Sequence, residues 1–474
     1  MTMIKAQVDF SKKLQTWDGF GVNYVETCQT KDYNVDPQDY GGFSTLSEEK
    51  RHEILDLIFG ENGLKPGVLK MFFDPFHQAV SKQNSPDPNA INMENYDHVT
   101  TSRWTRYFAK NGLKRLKAHG GDLQIVTTLY GPPGWMTKQG FVRGRDLDPK
   151  YRVECAKYMI SWAKYLKEVE GLPVKYISLH NEGEDFVRWP DDGGADGFEH
   201  GHDYNMYWSP EQVVEFIKMM KPMLDTQGMK DVGVTTGEYT NWLRFSDWGY
   251  AYAIADDQEA LESLGAITSH GFIRYNQNRW FSEARGLGND ILREKRPDLH
   301  AWTTSIDWGK MDVHFLNDYR YNIYASKVNA LIPWAALQWS SKWGKGDPNP
   351  GTAFRIDGKG GYTVEPGYYF YKQLSCAGQP GTAVARVISN DTEIGLIGFA
   401  ANGTKNTDAL VVLNTSQEEK IVDLSFLGTE TGTFDVFRTS HDEKYVSLGV
   451  LEADNGVVRY TVPAGSATTF YGVR

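Results

Sequence analysis

Short apolar runs alternate with amphipathic stretches through the first three-quarters of the chain. The runs at 68–76, 123–129, 175–179 and 331–337 lack the in–out alternation of a half-exposed strand, as parallel strands covered on both faces do. Segments at 16–24, 232–236, 266–272 and 301–304 complete a set of eight. Between them the 3.6-residue spacing of apolar positions predicts helices. One opens on Ser47-Glu48 and carries Ile54, Leu55 and Ile58 on one face, and others cover 102–119, 151–169 and 209–225, the last starting from Ser209-Pro210. Shorter ones are predicted at 256–264, 289–296 and 318–329. Eight strand–helix units in succession predict an α/β fold, a (β/α)8 TIM barrel.

After Pro366 the pattern changes to short strands separated by Gly, Asn and Asp turns, at 383–388, 394–399, 409–413, 420–424, 432–438 and 457–462. That is the pattern of an all-β sandwich, and the strand at 6–10, ahead of the barrel, is expected to join it. The organisation read from the sequence is therefore 1–15 as a strand of the sandwich, 16–375 as the barrel and 376–474 as the sandwich. The two longest irregular stretches, 184–208 and 340–366, follow the fourth and eighth barrel strands. Both fall on the carboxyl-terminal face, where barrels place their chemistry.

Charge and composition narrow the function. The 61 acidic residues outnumber the 50 basic ones, and no Lys/Arg run could track phosphates, so nucleic acid is not an expected partner. No apolar run approaches the ~20 residues of a membrane span, and the first ten residues have neither a basic nor an apolar signal region. The chain reads as soluble, either cytoplasmic or secreted with its signal removed. Cys28, Cys155 and Cys376 are few and far apart, which suggests neither a disulfide framework nor a zinc site. Asp191, Asp192 and Asp196 lie in a Gly-rich loop without EF-hand spacing, so a solvated acidic loop is expected there rather than calcium.

The chemistry concentrates in 175–185, KYISLHNEGED, where an apolar strand runs into Asn181 and Glu182. A glutamate at a barrel strand's carboxyl end is placed for acid–base work. Further on, Thr128-Leu129-Tyr130-Gly131-Pro132-Pro133-Gly134-Trp135-Met136-Thr137-Lys138 resembles the Ser-Pro-Pro-x-Trp-Met-Lys segment after strand three of glycoside hydrolase family 30. The Trp17–Gly21 entry, His180-Asn181-Glu182, and His270-Gly271-Phe272 are similar to the same family, and the resemblance covers nearly the whole chain.

That resemblance implies a retaining β-glycosidase acting on a β-linked oligosaccharide or glycoside, with Glu182 as acid/base and no metal or organic cofactor. It also implies that Asn181 holds the hydroxyl beside the reacting carbon, and that Trp334 floors the sugar subsite. His180, Trp135, Glu238, His270, Tyr275 and Asp74 are further candidates for the lining, each with an ordinary packing role as its alternative. Lys70 stands where the family often has arginine.

The nucleophile position departs from the family. Its Trp-x-Thr-Glu pattern would put a glutamate at Ser305, in His300-Ala301-Trp302-Thr303-Thr304-Ser305-Ile306-Asp307. A serine there is too short to reach the anomeric carbon and has no evident base, so ordinary retaining hydrolysis should be nearly abolished. Three readings follow. Ser305 is a substituted glutamate that traps substrate or makes a glycosynthase; or the chain is a natural pseudoenzyme that binds carbohydrate without cleaving it; or Asp307 or Glu238 acts instead, from a longer distance and with inversion. Asp307 is expected to lie beyond the strand end. In the sandwich, Tyr460 and Phe470 read as core rather than as an exposed sugar platform.

Overall fold

Eight parallel strands close into a barrel in chain order: Gly19–Asn23, Val68–Phe73, Gln124–Leu129, Val174–Ser178, Gly233–Thr235, Leu264–Ser269, Ala301–Asp307 and Ala330–Trp334. The first strand pairs with both the second and the eighth, so the ring has no free edge. The computed structural model describes residues 3–27, 39–78, 81, 85–194, 204–273, 286–339 and 351–473. Helices Glu48–Phe59, Arg103–Ala118, Arg152–Glu168, Pro210–Thr226, Leu287–Lys295 and Val313–Tyr324 occupy intervals that the periodicity predicts. The caps legible in the sequence are made: Ser47 accepts from the Lys50 N–H, and Ser209 from the Gln212 N–H. The helix predicted at 256–264 is instead two, Tyr250–Asp256 and Gln258–Ser263, because Asp257 caps the second. None of the described helices is long and apolar enough to cross a membrane.

Inside the barrel, the alternation of each strand stacks side chains in tiers. Val68, Val126, Tyr176, Ala266, Trp302, Ala330 and Ile332 form an apolar plug at the bottom, with Trp302 edge-on to Tyr176 at 5.0 Å. Phe72, Tyr130 and Trp334 form an aromatic tier at the mouth. Two residues after Val68 and Val126, and two before Phe72 and Tyr130, come Lys70 and Thr128, both fully buried. The middle tier is thus polar, and everything it holds must be paired.

The remaining strands make one nine-stranded sheet, in the order Val446–Glu452, Thr433–Thr439, Ser466–Gly472, Ala409–Asn414, Ile394–Ala400, Ala383–Ser389, Ile4–Thr16, Lys420–Leu427, Val457–Val462. Strand Ile4–Thr16 runs antiparallel to Ala383–Ser389 and parallel to Lys420–Leu427. The sheet curls over on itself. Phe426 stacks on Phe434 with ring centroids 4.1 Å apart, and Tyr460 meets Phe470 edge-on at 5.3 Å, although these strands are far apart in the sheet order. Tyr460 and Phe470 are core residues, as their sequence context suggests.

Strand texture does not follow Pro366 directly. Helix Gly367–Ala377 intervenes, and Tyr368, Phe370 and Tyr371 of its aromatic run are buried against its neighbours, which hides the usual alternation of polar and apolar faces. Tyr371 donates to the Gly21 carbonyl in the barrel at 2.6 Å, while Gln373 donates to Thr439 Oγ1 in the sheet at 2.9 Å. The helix ties the two bodies together. A small sheet of Leu337–Trp339, Phe354–Ile356 and Tyr362–Val364 lies beyond the eighth strand.

Because Val8 is fully buried between two sheet neighbours, Val8→Asp should place an unpaired charge in the sheet core. A loss of about 3–5 kcal/mol is expected in chemical denaturation. The exposed Lys12→Asp should change stability by less than about 0.5 kcal/mol, and equal effects would mean that the strand is not held as described.

Candidate active site

At the mouth of the barrel the ends of the fourth and fifth strands are tied through their main chains. The Glu182 N–H donates to the Glu238 carbonyl at 2.7 Å, and the Glu238 N–H to the His180 carbonyl at 2.8 Å. Gly237 allows this approach. It takes φ +89°, and a Cβ there would stand 2.1 Å from His180 Nε2. Glu182 itself has φ +49°, and Ser305 φ +85°, both in the region that non-glycine residues avoid. Ser305 is the irregular residue where pairing with the eighth strand passes from Thr304–Ile332 to Ile306–Pro333.

Lys70 links these pieces. Its Nζ donates to Ser305 Oγ at 2.7 Å, to Asn181 Oδ1 at 3.3 Å and to Glu238 Oε2. Glu238 also accepts from Thr128 Oγ1 at 2.6 Å and lies 3.2 Å from His270 Nε2. On the other side of that imidazole, His270 Nδ1 is 2.8 Å from Glu182 Oε1, while Arg188 Nη2 donates to Glu182 Oε2 at 2.8 Å. One continuous polar chain therefore runs from Ser305 through Lys70, Glu238, His270 and Glu182 to Arg188.

The charges along it are set by these contacts. Burial would raise the Glu238 carboxyl, but the Lys70 charge and the His270 and Lys70 hydrogen bonds overcome it and bring the group down to about 2. Burial opposes a charged His270, yet its hydrogen bonds to Glu182 and Glu238 outweigh that and raise it. Arg188 is likewise raised, burial being overcome first by the Glu182 charge. A second layer holds the loop: Arg244 Nη1 lies 2.9 Å from Glu184 Oε1, which also accepts from the Thr240 N–H.

The other candidates lie outside this polar chain. His180 packs between Trp208 and Tyr239, and burial lowers it to about 4. Trp135 donates its indole N–H to the Gln78 carbonyl and meets Tyr151 edge-on at 5.0 Å, at the base of its loop. Asp74 accepts from the Phe76 N–H at 2.8 Å and lies 3.4 Å from His77 Nε2. Trp334 is in the mouth tier, edge-on to Phe72 at 5.4 Å, and Phe72 in turn lies under Lys70 Nζ. Tyr275, Asp196 and Cys28 lie outside the described residues. Asp192 accepts from the Gly194 N–H, and no cluster suited to a metal occurs among the described residues.

Two expectations are corrected. Asp307 does not lie beyond the strand end; the seventh strand extends to it. The irregular register at Ser305 breaks the alternation between the two residues, and Asp307 accepts from the Gly309 N–H at 2.8 Å. Nor is Ser305 without a basic neighbour, since Lys70 Nζ is in contact with it. That amine is committed to the Glu238 carboxylate, so it serves Ser305 as an ammonium donor rather than as a base. Arg188 and Thr128 belong to the site but carry no distinctive sequence signal: Arg188 sits in an irregular loop, and Thr128 reads as an ordinary strand residue.

No protein-family profile matches the chain, and no curated protein matches it in sequence. Solved structures match its fold over nearly its full length. SrfJ from Salmonella typhimurium aligns at TM-score 0.73 and 16% identity, covering 99% of this chain and 93% of that one. A family 30 endoxylanase from Clostridium papyrosolvens aligns at 0.67 and 16%, covering 99% and 100%. The endo-β1,6-glucanase BT3312 aligns at 0.67 and 15%, covering 99% and 94%. The fold is thus shared with glycoside hydrolases of family 30.

Removing the charge of Lys70 takes from the buried Glu238 its ammonium partner and leaves His270 and Thr128 as its remaining contacts. Lys70→Met should cost about 3–5 kcal/mol in urea unfolding, and adding Glu238→Gln should recover part of that cost. Additive losses would show that the two groups do not depend on each other. His180 gives a pH signature of its own. Its folded value near 4 lies below the ordinary 6.5, so the unfolded chain takes up a proton first as pH falls. The stability this group confers is complete above about pH 6.5 and is lost towards pH 4, a difference of about 3 kcal/mol. His180→Asn should flatten that part of the stability–pH curve.

Proposed function

We propose that the barrel mouth binds a β-linked oligosaccharide or glycoside, and that Ser305 suspends the retaining hydrolysis for which the surrounding groups are arranged. The observation that carries this reading is the polar chain joining Glu182 to Ser305 on a fold shared with family 30 glycosidases. In the retaining mechanism one carboxyl group protonates the glycosidic oxygen while a second attacks the anomeric carbon. Glu182 takes the first role. His270, bonded to both Glu182 and Glu238, can carry a proton at Nδ1 beside the Glu182 carboxylate. Arg188 holds that carboxylate in one orientation at rest. Asn181, kept in place by Lys70 and by the tie between the fourth and fifth strands, is placed to meet a sugar hydroxyl.

Ser305 offers a hydroxyl already hydrogen-bonded by an ammonium, which lowers its nucleophilicity, and it cannot form the glycosyl ester. Glu238 does not replace it. That carboxylate is fully buried and held by Lys70, Thr128 and His270, so no water can be activated on it without breaking those bonds. The expected phenotype is binding with little hydrolysis.

The test compares this chain with Ser305→Glu across a panel of aryl β-glycosides. The glutamate variant should cleave at least one substrate at least about 10³-fold faster. Azide or formate should restore part of that rate to the serine form, and an α-glycosyl fluoride with a sugar acceptor should give a β-linked product, Glu182 taking the acceptor proton as fluoride leaves. Sugar binding by both forms with cleavage by neither would favour a carbohydrate-binding protein. Activity in the serine form alone would overturn the assignment of the seventh strand.

A further inference from the structure

On the side of the barrel away from the mouth, where the loop before the second strand meets helix Gly367–Ala377 and the nine-stranded sheet, lies a cleft of about 410 Å³. Three lysines line it, Lys65, Lys372 and Lys405, against one acidic residue, the solvent-exposed Glu61. Among the described residues, none of the three lysines forms an ion pair. Lys372 Nζ donates to the Asn62 carbonyl at 2.5 Å and sits 4.6 Å from the centre of the Tyr445 ring. Lys405 Nζ donates to the carbonyls of His119 and Gly120, both at 3.1 Å. These contacts orient the ammonium groups without neutralising them, and each has an N–H left over.

Other part-buried lysines meet carboxylates. Lys420, for instance, faces both Asp391 and Glu393. With 61 acidic residues available, an unneutralised triad in a concave site is not a matter of composition. Burial, with Lys65 nearby, lowers Lys372, so the uncompensated charge is disfavoured as it stands. Beside the lysines, the half-buried Phe437 and Tyr445 rings stack at 4.9 Å with an interplanar angle of 19° and offer a flat apolar wall.

We propose that this cleft is a second ligand site, in which Lys65, Lys372 and Lys405 bind a phosphate or sulfate group, either free or carried on a sugar that lies against Phe437. The lysines would supply charge-assisted hydrogen bonds to the oxyanion, and the aromatic wall would take the body of a carried group. The site is independent of the reading of the barrel mouth.

Calorimetric titration of the full chain with inorganic phosphate, sulfate, glucose 6-phosphate and glucose tests it. Phosphate or sulfate should bind, and glucose should not bind at the cleft. Lys65→Asn and Lys405→Gln should each weaken anion binding by about tenfold. Asparagine suits position 65, whose φ is +51°, and unchanged melting temperatures would confirm that both variants fold. Tighter binding of glucose 6-phosphate than of phosphate, reduced by Phe437→Ala, identifies a carried group; equal binding identifies the free anion. No anion binding at millimolar concentration, or binding that neither lysine substitution weakens, overturns the proposal.

Discussion

The ammonium of Lys70 beside the carboxylate of Glu238, both out of reach of solvent, is the constraint on which the centre of this molecule depends. Taking two charges out of water costs several kcal/mol for each, and their attraction repays that cost only when the remaining donors and acceptors are satisfied. The barrel satisfies them from four directions, with Thr128, Asn181, His270 and Ser305 completing the set. Each of these residues owes its position to a different strand. The polar tier is therefore a record of barrel closure, because only correct register on the second, third, fourth, fifth, sixth and seventh strands brings all six groups to one point.

The same contacts give Ser305 a context beyond that of a missing glutamate. Positions 70 and 305 are both places where the chain departs from the pattern it resembles, and the two side chains touch. Here the shorter cation meets the shorter side chain, and Glu238 supplies the negative charge from the neighbouring side. The charges of the site are compensated as it stands.

Most of the architecture was legible because it follows from burial. Strands covered on both faces are continuously apolar, and Val68–Phe73 and Gln124–Leu129 announce themselves in that way despite carrying Lys70 and Thr128 inward. Helix Gly367–Ala377 was not legible for the same reason inverted: packed between two bodies, its buried aromatic run hides the polar stripe that marks a helix. In the site, Asn181 and Glu182 stood out because polar residues end an apolar strand. The role of Lys70 did not, since pairing between residues 168 positions apart leaves no local trace. Asp307 was misplaced because the seventh strand continues past its irregular residue, Ser305, and nothing in the local sequence marks such a continuation.

Strand Ile4–Thr16 lies inside the nine-stranded sheet, between segments that begin at residues 383 and 420. On the ribosome it emerges ahead of the whole barrel, and its sheet partners emerge only after the barrel. The barrel can close while that strand is still unpaired, with Val8 and its apolar neighbours uncovered and both edges open. The interval is set by translation, at 5–20 residues per second, and so lasts on the order of 20 to 80 seconds. During biosynthesis this strand is therefore exposed to intermolecular pairing until its partners are made, a hazard that a permuted chain with the strand placed after the barrel would avoid.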